Sequence, residues 1–123
     1  MSVVHSLLSR GADIDKAMNG GATPLYIASE KGHVEVVSVL LEQGADIDKA
    51  KDSGATPLFM ASQQGHGEVV SVLLEQRADI DKAKDSGATP LFMASYKGHA
   101  EGVSVLLEQG ADIDKARESG ANP

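Results

Sequence analysis

The histidines of this chain are the residues whose type and spacing come closest to a reactive site. His33, His66 and His99 each follow a serine by four positions, and the chain is rich in aspartate. A hydrolase of the serine–histidine–aspartate kind needs one asymmetric cluster, in which nucleophile, base and acid converge on a single oxyanion site. Here the same residues return once every thirty-three positions. The pattern therefore predicts no enzyme activity, and we interpret each histidine as a residue that hydrogen-bonds the turn between two helices.

The segment 46–54, DIDKAKDSG, faintly matches a calcium-binding loop because Asp46 and Asp48 alternate. An EF-hand also needs an oxygen ligand at position five, a glycine at position six and a glutamate at position twelve. At those positions the chain has Ala50, Lys51 and Pro57. Helical layers stack about 10 Å apart, so residues that occur once per layer cannot share one ion. The sequence, which contains no cysteine, predicts no metal site and no cofactor.

The peptide GATPL begins at Gly21, Gly54 and Gly87 and so has the same period as the histidines and aspartates. We therefore expect it to belong to the structural unit that positions them. Its threonine can cap a helix, and its proline has no N–H to leave unsatisfied at the first helical position. A glycine ends that helix at positions 32, 65 and 98, and a second helix carrying VVSVLLE or GVSVLLE follows. The spacing predicts a repeated unit of helix, tight turn, helix and loop, and hence an all-α fold.

The segment GADIDKA follows each second helix, at residues 11–17, 44–50 and 110–116, with arginine in place of glycine at residues 77–83. Glycine just past a helix end adopts a positive φ that other residues resist. We expect Arg77 to adopt the same conformation, at a cost of about 1 kcal/mol. Ala45 and Ile47 are expected to anchor the loop inward while the aspartates face water.

The periods divide residues 1–123 into one array. Residues 1–10 match the second helix of a partial first unit, and residues 110–123 match the truncated finger of a further unit. The full periods are residues 11–43, 44–76 and 77–109, called units 1, 2 and 3 below. Because a repeat array needs polar outer faces on its terminal units, we expect exposed apolar surface at both ends, which permits end-to-end self-association.

This pattern resembles the ankyrin repeat family over essentially the whole chain. The resemblance rests on TPL opening the first helix, GH in the turn, valine and leucine pairs on the second helix, and GAD after it. Where the family has the histidine of TPLH, this chain has aromatic residues: Tyr26, Phe59 and Phe92. Where the family has a finger-tip aspartate, it has Met18, Lys51 and Lys84. The resemblance implies an all-α ankyrin-repeat solenoid of helix-turn-helix units joined by hairpin-like finger loops.

The resemblance also implies protein–protein interaction through a concave groove formed by finger tips and first helices. Only eight positions differ between units 1 and 2, and five between units 2 and 3, and several of these lie on that face. The predicted partner-binding residues are Met18, Asn19, Tyr26, Glu30, Lys31, Lys51, Asp52, Phe59, Gln63, Gln64, Lys84, Asp85, Phe92, Tyr96 and Lys97. Tyr26, Phe59 and Phe92 could instead pack between layers. Tyr96 stands at a polar position and is expected to be exposed.

Composition narrows the class of partner. A net charge of −7 argues against nucleic acid, which is bound by clustered lysine and arginine. The acidic second helices would be repelled by anionic lipid, and the sequence shows neither a membrane-spanning run nor a signal peptide. We therefore expect an intracellular, cytoplasmic chain with a neutral or basic protein partner. The alternative is a structural segment of a longer or engineered array that associates through its end faces.

Overall fold

Seven helices form the part of the protein that the computed structural model describes, residues 13–118. The first helices of units 1 to 3 are α1 (Pro24–Lys31), α3 (Pro57–Gln64) and α5 (Pro90–Lys97). The second helices are α2 (Val34–Glu42), α4 (Gly67–Glu75) and α6 (Ala100–Glu108). A last helix, α7, covers Ile113–Glu118. Residues 13–118 contain no strand, so the predicted all-α architecture is confirmed. The partial unit at residues 1–10 lies outside the described residues.

The local signals at the first helices act as predicted. The Thr56 hydroxyl accepts a hydrogen bond from the Phe59 N–H at 3.1 Å, and the threonines of units 1 and 3 make the same bond. Proline occupies the first helical position, and a left-handed glycine closes each helix, with Gly65 at φ 78°. These bonds satisfy backbone groups that a helix end leaves unpaired, and the residues that make them lie within the same unit.

Two apolar clusters hold the layers together. The larger lies between first and second helices, and includes the fully buried Leu58, Val69 and Leu73. The smaller lies between the first helices and the fingers, around Tyr26 and Phe59. First helices pack against the first helices of neighbouring units, and second helices against second helices. Since each unit contacts only its neighbours, stability depends on the contacts between units.

The finger loops hydrogen-bond to one another in sequence. Each finger is closed by a tight turn, as in the 2.8 Å bond from the Gly54 N–H to the Lys51 carbonyl. The Asp52 N–H donates to the Gly20 carbonyl of the preceding finger at 2.8 Å, and the Asp85 N–H donates to the Ser53 carbonyl at 2.9 Å. The fingers therefore form a continuous hydrogen-bonded edge beside the first helices.

The loop after each second helix has the predicted left-handed glycine, at φ 92° for Gly44. Arg77 adopts φ 72° and is the one non-glycine residue with positive φ within residues 13–118. Ala45 and Ile47 are half-buried against the larger apolar cluster, as expected. The structure thus confirms the strained position that the sequence predicts for Arg77.

Helix α7 stands where the earlier units have a loop. Its counterpart, residues 80–85, is non-helical. The carboxylate of Asp112 accepts hydrogen bonds from the N–H groups of Asp114 and Lys115, at 2.9 and 3.1 Å, which is the arrangement of a helix N-cap. The alanine, lysine, arginine and glutamate that follow are strong helix formers. The unit 3 loop shares the IDKA sequence and the bond from the Asp81 N–H to Asp79 without being helical, so capping and propensity favour α7 but do not by themselves account for it.

Gly102 weakens α6, and its replacement by valine is expected to raise the melting temperature. The sequence predicts this for Gly102, where units 1 and 2 have valine, and the structure shows that a Cβ there would lie 3.8 Å from the Ala94 Cβ, an ordinary contact. The gain in helix propensity and apolar burial should be about 0.5 to 1 kcal/mol, measurable by thermal or urea unfolding. A lower melting temperature would contradict this expectation.

Gly67 is the contrasting control. The sequence predicts that it too weakens its helix, but it is the first residue of α4, where the penalty for glycine is smaller. A Cβ at Gly67 would also displace the exposed Glu101 side chain from its position in the structure. Gly67→Ala should therefore bring no gain in stability.

The Ser62 hydroxyl is completely buried and has no hydrogen-bond partner in the structure. An unpaired buried hydroxyl opposes folding because it has lost its hydrogen bonds to water. We expect Ser62→Ala to raise the free energy of unfolding by about 1 kcal/mol, measured by urea denaturation. The matched control is Ser95→Ala, at the same helix position but exposed, which should change stability by less than about 0.5 kcal/mol. Equal changes in stability for Ser62→Ala and Ser95→Ala would contradict the description of the Ser62 hydroxyl as buried and unpaired.

Candidate partner-binding face

The predicted partner-binding residues do not all reach the surface. We define the binding face as those that do: Met18, Asn19, Lys31, Asp52, Gln64, Asp85, Tyr96 and Lys97 are exposed. Five more are half-buried along its edge: Glu30, Lys51, Gln63, Lys84 and Phe92. Finger tips and the last turns of the first helices supply all of them except Phe92, which lies in the first turn of α5. The remaining two, Tyr26 and Phe59, are buried.

The prediction that Tyr26 and Phe59 contact a partner directly does not fit their burial. Their relative exposure is 4% and 0%, so packing between layers is the use that the structure shows. Burial raises the pKa of the Tyr26 phenol above its usual value, and the nearby Glu30 charge adds to the effect. These two rings position the face rather than form its surface.

The lysine of the following finger covers each of these buried rings. The Lys51 ammonium lies 5.7 Å from the centroid of Tyr26, and the Lys84 ammonium lies 5.8 Å from that of Phe59. Both distances are within the range of a cation–π interaction. The aromatic residue and the finger-tip lysine both replace residues typical of the family that the sequence resembles, and these two replacements contact each other. Each lysine is drawn toward its ring, and only part of its side chain remains available to a partner.

Tyr96 is different, as the sequence predicts, because 73% of it is exposed. Its ring stacks on Phe92 with a centroid distance of 6.0 Å and an interplanar angle of 27°. Phe92 is half-buried, so the underlying ring is fixed while the outer ring faces solvent. The pair forms an exposed aromatic surface at the unit 3 end of the binding face.

His66 and His99 connect neighbouring units, which corrects their predicted role within the turn. Nε2 of His66 lies 2.9 Å from the carbonyl oxygen of Glu30, and Nε2 of His99 lies 2.9 Å from that of Gln63. The N–H donates, and the acceptor belongs to the last turn of the preceding first helix. The His99 ring also lies so close to Gly65 that a Cβ there would be 2.7 Å from Nδ1. The turn sequence alone could not identify an acceptor thirty-six residues away.

The second aspartate of each loop also joins the units, whereas the first is exposed to water as expected. One oxygen of Asp48 accepts a hydrogen bond from the Asp79 N–H at 3.0 Å. The carboxylates of Asp15 and Asp81 make the same bond to the next unit. Asp15, Asp48 and Asp81 are all half-buried. Each of these carboxylates therefore accepts a hydrogen bond from the neighbouring unit.

Burial raises the pKa of Asp48, and the carboxylates of Asp79 and Asp46 raise it further. The Asp79 N–H and the Lys82 charge act in the opposite direction. Because its pKa is higher in the folded chain, the charged form of Asp48 opposes folding at neutral pH, and this penalty disappears as pH falls through that pKa.

Asp48→Asn is therefore expected to be slightly more stable than wild type at pH 7. The amide oxygen can still accept the backbone bond, and solvent screening limits the gain to under about 0.5 kcal/mol. The difference between the two proteins should shrink on acidification, measured by urea unfolding between pH 7 and pH 4. Glu68→Gln, an exposed site with the same change in charge, is the control. If Asp48→Asn were less stable than wild type at pH 7, the charged form of Asp48 would not oppose folding as described.

Most of the serine and histidine side chains that could act in catalysis are buried or already hydrogen-bonded. Ser29 and Ser62 are completely buried, and Nε2 of His66 and His99 is bound to carbonyls. In the described part of the chain, no three histidine or acidic side chains are placed to hold a metal ion. No helix among residues 13–118 is long and apolar enough to cross a membrane. The arrangement offers contact surface and hydrogen-bonding groups for recognition.

Comparison with known proteins identifies the family. The family model described as ankyrin repeats, in three copies, matches residues 1–84 and residues 48–117. No curated protein matches the chain. The chain therefore belongs to the ankyrin repeat family, whose members are generally protein–protein interaction modules and typically not enzymes.

Proposed function

We propose that this ankyrin-repeat chain binds a protein partner through the binding face and carries out no chemistry of its own. The observation that supports this most directly is the exposed Tyr96 stacked on Phe92. Large rigid side chains with one exposed surface are typical hot spots of protein interfaces. A cytoplasmic location remains a prediction from the sequence.

The pattern of variation between units supports the same face. The capping threonines and the leucines of the larger apolar cluster are the same in all three units, whereas the surface positions at the end of the first helices differ. These positions are Glu30 and Lys31, Gln63 and Gln64, and Tyr96 and Lys97. A constant scaffold with variable surface residues is the arrangement expected of a recognition module.

Affinity capture from cells of the chain's own source tests the proposal. The immobilised chain should retain a protein that Tyr96→Ala combined with Lys97→Ala fails to retain. The control pair Glu68→Ala and Glu75→Ala removes exposed charges from a second helix and should retain it. Loss on the control pair alone, or capture of only the same chain, would contradict the proposal.

A second function, self-assembly through the end faces, has its own supporting observation. Val36 in unit 1 is 37% exposed, whereas its counterpart Val69 is fully buried. Leu107 in unit 3 is 43% exposed, whereas its counterpart Leu74 is 9% exposed. Assembly through these positions predicts a mass that increases with concentration in light scattering, and that increase should be lost with Leu107→Lys. A constant monomer mass would exclude it.

A further inference from the structure

We propose that unit 3 anchors the partner, and that the anchored segment carries a large apolar side chain next to a carboxylate. This inference rests on the proposed function and assigns a chemistry to one part of the binding face. The apolar side chain would pack on the Tyr96–Phe92 pair, and the carboxylate would meet the ammonium of Lys97.

Among the described residues, the aromatic positions of the three units differ in access. In units 1 and 2 the rings of Tyr26 and Phe59 are buried, and the next finger's lysine lies over each of them. In unit 3 the ring at this position, Phe92, is half-buried and supports Tyr96. A partner can therefore reach an aromatic surface in unit 3 without displacing a contact within the chain.

The charge at the end of the first helices also differs between units. Unit 1 has Glu30 before Lys31, which gives a neutral pair, and unit 2 has two uncharged amides. Unit 3 has Tyr96 before Lys97, so the residue that precedes its lysine is aromatic instead of acidic. Both residues are exposed at the end of α5. The end of α5 therefore combines an exposed aromatic residue with a lysine that no acidic residue precedes.

The nearby acidic finger residue does not neutralise this site. The carboxylate of Asp85 faces the preceding finger, where a Cβ on Gly54 would collide with it. The Asp85 N–H is also bound to the Ser53 carbonyl in that finger. Asp85 therefore faces unit 2 instead of the end of α5.

The overall charge of −7 does not oppose a local carboxylate. Salt at physiological strength screens interactions between exposed charges beyond about 8 Å, so a carboxylate touching Lys97 interacts mainly with that lysine. The net charge still favours encounter with a neutral or basic protein. The inferred partner thus carries the apolar and acidic pair as a local feature of one segment.

A phage-displayed library of random peptides tests this inference without knowledge of the natural partner. Peptides selected on the wild-type chain should be enriched in a large apolar residue adjacent to aspartate or glutamate. Their affinity should fall at least about tenfold on Tyr96→Ala, the loss expected at a hot spot. Selection on Lys97→Glu should instead enrich lysine or arginine beside the apolar residue.

The second helix α4 supplies the controls, because Glu68 and Glu75 are exposed and lie outside the binding face. Glu68→Ala and Glu75→Lys should change the affinity of the selected peptides by less than about threefold. Circular dichroism should show that all variants are folded, since Tyr96 and Lys97 are exposed.

Each other outcome overturns the inference. Peptides that lose affinity with Gln63→Ala and Gln64→Ala but not with Tyr96→Ala would move the anchor to unit 2 and leave the proposed function intact. Peptides that no substitution on the binding face affects would contradict both the inference and the proposed function. If no peptide were enriched on the wild-type chain, the inference that unit 3 anchors a partner segment would also be wrong.

Discussion

Phe59→Ala is expected to lower the free energy of unfolding by about 3 to 5 kcal/mol. The Phe59 ring is completely buried in the smaller apolar cluster, between the first helices of units 1 and 3. Truncation would leave a cavity at the centre of the array and would remove the ring on which the Lys84 ammonium lies. Both effects fall on contacts between units, which hold a repeat array together.

Urea denaturation followed by circular dichroism measures this loss. The same ring position offers a graded comparison, because Phe92→Ala removes a half-buried ring and should cost less. Tyr96→Ala removes an exposed ring and should change stability by about 0.5 kcal/mol or less. A Phe59→Ala protein as stable as Tyr96→Ala would show that the ring does not pack as described.

Gly65→Ala is expected to lower the free energy of unfolding by about 2 to 3 kcal/mol, clearly more than Gly98→Ala. Both glycines end a first helix in the left-handed conformation, with φ of 78° and 77°. A Cβ on Gly65 would lie 2.7 Å from Nδ1 of His99, whereas a Cβ on Gly98 would have nothing within 4 Å. Both variants place a Cβ on a residue with positive φ and so have the same backbone penalty. The additional loss of unfolding free energy in Gly65→Ala therefore measures the cost of displacing His99.

Thermal and urea unfolding of the two variants give this difference. Gly98→Ala should cost only about 1 kcal/mol, the penalty for a Cβ at positive φ. Combining Gly65→Ala with His99→Ala should cost less than the sum of the single changes, because the second change removes the side chain that the first one displaces. Equal losses for Gly65→Ala and Gly98→Ala would contradict the proposed importance of this contact.

The helix ends follow from sequence because their causes are local. Thr56 caps a helix whose first residue is Pro57, and Gly65 ends that helix, all within ten residues. The strain at Arg77 was equally predictable, because the other units have glycine there. Each prediction needed only a residue type and its near neighbours along the chain.

Contacts between units could not be predicted in the same way. The acceptor of His66 is the Glu30 carbonyl, and every residue has such a carbonyl, so no side chain indicates it. Asp48 resembles a solvated loop acid, although it accepts the Asp79 N–H. One signal was available: aromatic and lysine residues recur twenty-five positions apart, as Tyr26 with Lys51 and Phe59 with Lys84. It becomes interpretable only when the stacking of units brings those positions together.

The binding face was partly predictable for the same reason. Exposure of Tyr96 follows from its place among polar counterparts, since Glu30 and Gln63 occupy that position in the other units. Burial of Phe59 depends on neighbours on both sides of unit 2, and a single unit's sequence does not contain that information. The sequence therefore indicates the face, while packing between units decides which of its residues are accessible.

Site-specific photocrosslinking in cells of the chain's source is the most direct test of the proposed recognition. A photoreactive amino acid would replace Gln64, which lies on the binding face, or Glu75, which lies on a second helix, and both positions are exposed. We predict that position 64 crosslinks to a distinct protein and that position 75 does not. Crosslinks to a distinct protein from position 75 alone, or from position 64 only to another copy of this chain, would contradict recognition through the finger tips and first helices.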